Sequence, residues 1–180
     1  MDSSAYIEAL TLSKKQKDYF IPDDKTIWFE AVDNFLIIYG HFGSVVNETL
    51  GKIVSILVSA YLGETVGMKS DPYRIILEFT KSSQSELVKK VILETKPETV
   101  KTVLERALLR TTLFRYRFVQ VAKRFGLVEK FHDYQKINIR RLIEAVLDSP
   151  IYQETLNEIF KEKLDVEKTK EVLSEIQSGK

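Results

Sequence analysis

The chain contains no cysteine among its 180 residues. It therefore has neither a disulfide framework nor a thiolate metal site, and a cytoplasmic location is expected. Glycine and proline are also scarce, with 7 and 4 residues. A content of 44% hydrophobic and 29% charged residues is close to the average of globular proteins. This composition excludes collagen-like, low-complexity and disordered chains.

Long apolar runs are missing as well. The longest, Ile53–Leu62, contains two serines and is far shorter than the roughly 20 residues that a membrane-spanning helix needs. The first ten residues, MDSSAYIEAL, have neither the basic region nor the apolar region of a secretory signal. No membrane partner is therefore expected.

The common signatures of catalysis are absent from the sequence. The nearest approach to a phosphate-binding loop, Gly43–Lys52, departs from G-x-x-x-x-G-K-[ST] in its spacing. His41 and His132 have no ligand partner four residues away, and no G-x-S-x-G elbow is present. We therefore predict no catalytic residue, no metal ligand and no resident cofactor, and we expect the chain not to hydrolyse ATP by itself.

Neither sign of charge predominates over the whole chain, because 27 basic and 26 acidic side chains leave a net charge of +1. The charges are unevenly distributed along the sequence. Residues 1–100 carry 11 basic and 14 acidic side chains, a net of −3. Residues 101–141 carry 11 and 3, a net of +8, and residues 142–180 carry 5 and 9, a net of −4. The basic segment indicates either a polyanionic partner or a surface that is solvated or paired within the fold.

Hydrophobic periodicity divides the chain into two parts. Residues 20–81 show two strand pairs around one long helix, over Thr26–Val32, Phe35–His41, Val45–Leu62, Val66–Lys69 and Tyr73–Thr80. An Asp33-Asn34 turn joins the first pair, Ser44 is the predicted N-cap of the helix, and Gly63 ends it.

From residue 82 onward only helical patterns remain. The first predicted helix is capped by Ser83 or Ser85 and runs to about Glu94. The others cover Pro97–Arg110, Thr112–Phe125, Lys136–Leu147, Pro150–Leu164 and Val166–Gln177. We predict an α+β fold, with a small antiparallel sheet and one packed helix over about residues 20–80 and an all-helical bundle over about 83–178. The units 20–81 and 82–180 are expected to form one compact domain, while residues 1–19 have no assigned structure.

The basic segment is expected to present its arginines along a helix. Phe114, Phe118, Val121, Ala122 and Phe125 recur with helical spacing and predict a core stripe. Arg117 and Arg124 lie on one flank of it, Arg110 extends the row if the helix continues through Thr111, and Lys123 and Tyr116 are expected on the opposite side. The predicted nucleic-acid-binding residues are Arg110, Arg115, Arg117, Lys123, Arg124, Arg140, Arg141 and Trp28.

Two alternatives remain open for these residues. Arginine binds phosphates bidentately, but the same side chains could pair with Glu154, Glu158 and Glu162, which recur at i+4 spacing. Trp28 is either a packed edge residue or, if Phe29 faces the helix, a partly exposed platform for a base.

Three stretches carry a resemblance to a known family. IIYGHFGSVVNETLGKIVSILVSAYLGETVGMKSDPYRIILEF (Ile37–Phe79) is similar to a strand, an H-x-G-x-x-V-N turn, a long helix and a D-P-Y-x-I strand of the large helicase-related (Lhr) proteins. LFRYRFVQVAKRFG (Leu113–Gly126) resembles their F-R-x-R-F-x-x-V-A-x-R-F-G helix, and Pro150–Leu173 resembles their P-x-Y-x-E-T-x-x-E and L-D-x-E segments. The chain thus resembles the DEAD/H-associated region of that family from about Phe20 onward.

The resemblance implies an accessory role. In the family, two RecA-like motor domains and a winged helix precede this region and perform ATP-dependent translocation and unwinding, including unwinding of RNA:DNA hybrids. The implied partners are therefore the helicase motor domains and single-stranded or branched DNA or an RNA:DNA hybrid, in a DNA-repair context. ATP and Mg are expected only for a full-length helicase. We expect the chain to be either a piece of such a helicase or a short relative of its accessory domain.

Overall fold

A computed structural model describes residues 26–128 and 138–179 of the chain. The strands are β1 (Trp28–Val32), β2 (Phe35–Tyr39), β3 (Gly67–Asp71) and β4 (Arg74–Glu78). The helices are α1 (Ser44–Leu62), α2 (Ser85–Glu94), α3 (Val100–Leu108), α4 (Thr112–Arg124), α5 (Ile139–Ala145), α6 (Pro150–Lys163) and α7 (Val166–Ser178), with a 3-10 turn over Pro97–Thr99. The predicted α+β class is confirmed.

The sheet is antiparallel throughout, in the order β1-β2-β4-β3. The Asp33-Asn34 turn is confirmed, since Val32 pairs with Phe35 directly across it. Asp33 adopts a φ of 52°, a left-handed conformation that a short Asp side chain tolerates. In β2 and β4 the inward positions are fully buried, at Leu36, Ile38, Ile75 and Leu77. This alternation turns one face of the sheet toward the core.

The long helix α1 crosses the buried face of the sheet. Gly51 permits a close approach, because a Cβ atom there would lie 2.9 Å from Ile75 Cγ2 and 3.0 Å from Met68 Sδ. The helix ends at Gly63 (φ 70°), as predicted. Its N-cap is Gly43 rather than Ser44, which is the first helical residue. A φ of 86° at the cap residue explains the difference, because glycine adopts that conformation without strain.

Among the helices that the structure describes, α1 alone has the length and composition of a membrane-crossing segment. The same apolar character is required of a helix at the centre of a core. Leu50, Ile53, Val54 and Val58 are buried within the protein. A buried core helix accounts for its hydropathy.

Side-chain caps begin the last four described helices, whereas α2 follows Gln84 without a side-chain cap, so the predicted cap at Ser83 or Ser85 is wrong. Ser149 Oγ accepts a hydrogen bond from Tyr152 N, and Asp165 Oδ1 accepts one from Lys168 N, so both predicted helix starts are confirmed. Pro97 begins a 3-10 turn that leads into α3. The buried side chains of the sheet, α1 and the later helices form one continuous hydrophobic cluster. Most element ends differ from the predicted ones by one to three residues; α5 is shorter at its start, and the predicted residues 136 and 137 lie outside the described part.

Candidate nucleic-acid interface

Helix α4 holds the basic segment against the core. Thr111 Oγ1 accepts a hydrogen bond from Phe114 N at 3.1 Å and caps the helix. Phe114, Phe118, Val121 and Ala122 are fully buried, which confirms four of the five predicted core positions. The Phe114 ring lies 5.7 Å from that of Tyr152 on α6. Helix α4 is thereby fixed on α6, and its remaining faces are free to carry charged side chains.

Tyr152 shows how closely α4 and α6 pack. Burial is the main reason that the pKa of its hydroxyl is raised, and the nearby carboxylates Glu105 and Asp148 raise it further. The phenol therefore stays neutral where α4 and α6 meet.

Arg117 is bound within the fold. Its Nη1 donates to Glu158 Oε2 at 3.3 Å and to Glu162 Oε1 at 3.1 Å, and its Nη2 pairs with Glu162 Oε2. The Arg117 side chain is only 19% exposed and that of Glu158 only 16%. Arg124 pairs with the other oxygen of Glu158 but is 57% exposed. The intramolecular pairing that the sequence left open is therefore present for both arginines; we call these four side chains the α4–α6 clamp.

Three details of the predicted helical wheel are wrong. Tyr116 and Lys123 line the same shallow depression as Arg117 and Arg124, because neighbours in a helix differ by about 100° and not by 180°. Phe125 lies just beyond the last helical residue and is 53% exposed, so it leaves the core stripe.

Arg110 does not extend the arginine row of α4. Helix α3 ends at Leu108, and Thr111 caps a new helix instead of continuing the old one. This break directs Arg110 to a different place. Arg110, Arg115 and Arg140 line one pocket of about 520 Å³ between the end of α3, the start of α4 and α5. We call it the arginine pocket.

The arginine pocket brings together three of the predicted binding residues. All three are exposed. Arg140 Nε donates to Glu144 Oε1 at 3.1 Å, while within residues 26–128 and 138–179 no carboxylate pairs with Arg110 or Arg115. Arg141 is exposed on α5 but does not line the pocket. The pocket therefore holds more positive than negative charge.

Trp28 lies apart from these residues. It is on the edge strand β1 and is 41% exposed, while the neighbouring Phe29 packs against the core. Of the two alternatives that the sequence left open for Trp28, the structure shows the partly exposed one, with Phe29 turned inward. Trp28 lines neither the arginine pocket nor the depression that holds Arg117 and Arg124.

Sequence reasoning did not identify Glu144 as part of the site. Its i+4 spacing from Arg140 is the signal that could have revealed it. An apolar groove of about 420 Å³ between β1, α2 and α7 was also not foreseen; it is lined by residues such as Ile27, Phe29, Leu93 and Ile176. Over the two described ranges, no group of three or more His, Asp or Glu side chains is placed to hold a metal ion.

Comparisons with known proteins agree on one family. The family model described as DEAD/H associated matches residues 21–180. The ATP-dependent helicase Lhr-Core of Sulfolobus acidocaldarius is 24% identical over 175 residues, and that of Saccharolobus solfataricus is 22% identical over 174. Each alignment covers 88% of this chain but 20% of the relative, so the chain spans about a fifth of the length of these helicases.

One solved structure shares the fold. The Mycobacterium smegmatis helicase Lhr, whose structure was solved with ssDNA and AMP-PNP bound, superposes with a TM-score of 0.71 at 18% identity. The match covers 94% of this chain and 23% of that helicase.

Proposed function

The chain belongs to the DEAD/H-associated family, and from this premise we propose that it acts as an accessory, non-motor domain of an Lhr-type superfamily 2 helicase and contributes to nucleic-acid binding. The Lhr-Core relatives and the fold of the mycobacterial helicase support the helicase context. In this proposal ATP hydrolysis and translocation belong to motor domains, and this chain supplies a surface for the strand.

The observation that carries the binding role is the distribution of unpaired positive charge. Residues 101–141 have a net charge of +8, and α6 neutralises part of it through Glu158 and Glu162. Exposed arginines remain at the arginine pocket and at Arg141. Guanidinium groups in such a position bind backbone phosphates and release counterions from the nucleic acid. Single-stranded or branched DNA and RNA:DNA hybrids are the proposed ligands.

Fluorescence anisotropy tests this function directly. A labelled single-stranded oligonucleotide is titrated with the purified chain over a series of salt concentrations. A plot of the logarithm of the association constant against the logarithm of the salt concentration should have a slope of about −0.7 for each phosphate contact. The variant Arg115→Gln/Arg141→Gln should bind more weakly and with a shallower slope. Its matched control, Lys69→Gln/Lys90→Gln, removes the same charge from exposed positions outside the basic segment.

Two results would contradict the binding role. One is the absence of binding at low salt. The other is an equal effect of the two double variants, which would mean that only the net charge of the chain matters.

A second candidate function is a structural or interaction module that packs against helicase motor domains or associates with itself. Its support is exposed apolar surface, since Leu93 beside the apolar groove is 56% exposed and Phe125 is similarly exposed. Soluble proteins use such surface for contacts with other proteins. Sedimentation velocity of the chain alone, and then mixed with the motor domains of an Lhr helicase, tests this candidate; a monomer that does not co-sediment would exclude it.

A further inference from the structure

The chemistry of the arginine pocket points to a more specific ligand than a polyanion in general. Resting on the proposed function, we infer that this pocket takes one nucleotide of a single strand. Its arginines bind the phosphate, its apolar floor receives the unstacked base or the sugar, and Glu144 competes with the phosphate for Arg140.

The assignment of a phosphate to the pocket rests on its positive charge. Arg110 and Arg115 approach the pocket from the two sides of the helix break at Thr111, and Arg140 approaches from α5. Within the described residues neither Arg110 nor Arg115 pairs with a carboxylate. Their donors are therefore available for a charge-assisted hydrogen bond to a phosphate oxygen.

The assignment of an unstacked base or sugar rests on the shape and the lining of the pocket. Its volume of about 520 Å³ is in the range of small-ligand sites. The apolar side chains Leu109, Ile143 and Leu147 provide its non-polar surface. A paired base inside a duplex cannot enter a concavity, whereas a base of a single strand can unstack and turn into it. The pocket should therefore prefer a single strand to a duplex.

Glu144 gives the pocket an internal competitor. It holds Arg140 at 3.1 Å, with side chains that are 57% and 81% exposed. Such an exposed pair is weak, about 0.2–1 kcal/mol. A phosphate can therefore displace the carboxylate, and the carboxylate lowers the affinity of the pocket for phosphate.

The experiment compares single substitutions by anisotropy with labelled oligothymidine at low salt. Arg115→Gln should weaken binding about tenfold, the size expected for the loss of a charge-assisted hydrogen bond. Its control, Lys90→Gln, removes the same charge on α2 and should change the affinity much less. Glu144→Gln should tighten binding about two- to fivefold, which is the ratio of affinities that corresponds to the free energy of a weak ion pair. Its control, Glu94→Gln, removes a negative charge at an exposed position outside the pocket.

The outcomes separate this inference from the proposed function. The inference is overturned if wild type binds with a salt-dependent affinity but Arg115→Gln lowers that affinity no more than Lys90→Gln does. It is also overturned if Glu144→Gln raises the affinity no more than Glu94→Gln does. Either result would mean that nucleic acid binds elsewhere on the chain. If an unlabelled duplex competes as well as an unlabelled single strand of equal length, the assignment of an unstacked nucleotide is wrong. If wild type does not bind at all, the proposed function itself fails. Thermal unfolding of each variant checks that these surface changes leave the fold intact.

Discussion

The α4–α6 clamp makes a quantitative prediction about stability. Replacing Arg117 by methionine keeps the aliphatic part of the side chain and removes the guanidinium that binds Glu158 and Glu162. Loss of one partner of a buried ion pair costs about 3–5 kcal/mol, whereas exposed pairs contribute about 0–1 kcal/mol. Arg117 is 19% exposed, and Glu158 keeps Arg124 as a partner. We therefore expect Arg117→Met to lower the free energy of unfolding by about 2 kcal/mol, between these two ranges.

The matched control is Arg124→Met, on the same helix and against the same glutamate. Because Arg124 is 57% exposed, its loss should cost no more than about 1 kcal/mol. Urea unfolding followed by circular dichroism measures both values, provided that the m-value is unchanged. For a chain of this size the Arg117 variant should melt about 4–8 °C lower. If Arg117→Met is no more destabilising than Arg124→Met, the clamp does not hold α4 on α6.

Two further predictions concern the start of α1. Asn47 is fully buried, and its Nδ2 donates to the carbonyls of Gly40 (2.9 Å) and Asp71 (2.8 Å); Asn47→Asp should lower the free energy of unfolding by about 2–3 kcal/mol because both donors are lost, and a loss below about 0.5 kcal/mol in urea would contradict this role. Burial alone would raise the pKa of Glu48, but hydrogen bonds from Lys52 and from Ser70 (2.7 Å), with attraction to Lys52, outweigh it and lower the pKa from its ordinary value of 4.5. A lowered folded-state pKa stabilises the protein above about pH 4.5, and this stabilisation is lost as the pH falls through the folded-state value. Wild type should therefore lose more stability than Glu48→Gln on acidification, and parallel pH profiles of the two proteins would show that Glu48 does not contribute.

Much of the fold could be predicted because the determining chemistry is local. The Asp33-Asn34 turn, the glycine that ends α1 and the caps at Ser149 and Asp165 all depend on residues within one turn of the chain. Such signals do not depend on what packs nearby. Sequence reasoning left the outcome open where two local signals compete, although the predicted bounds Pro97–Arg110 and Thr112–Phe125 already separated two helices. At Thr111 a helix could either continue or be capped again, and the side-chain hydrogen bond to Phe114 N decides for a new helix.

The site was only partly predictable because its grouping is tertiary. The sequence identified the arginines but joined Arg110 to the row of Arg117 and Arg124 only if the helix continued through Thr111. The helix break instead moves Arg110 beside Arg115 and Arg140, which a helical wheel cannot show. The sequence also identified Glu158 and Glu162 as alternative partners. Only the packing of α4 on α6 determines that Arg117 and Arg124 use them.

These pairings change the meaning of the +8 segment. A segment's net charge describes the electric field around the protein only if its countercharges are far away, because opposite charges a few ångströms apart cancel at longer distance. At the α4–α6 clamp two glutamates lie against two arginines, so that region is close to neutral for an approaching strand. At the arginine pocket one glutamate lies against three arginines, and a positive excess remains. The arginine pocket should therefore attract nucleic acid more strongly than the α4–α6 clamp, because tertiary contacts leave its arginines less paired. The arginines of the clamp instead stabilise the fold. Arg117→Met should accordingly change stability with little effect on the salt slope of binding, and Arg115→Gln should do the reverse.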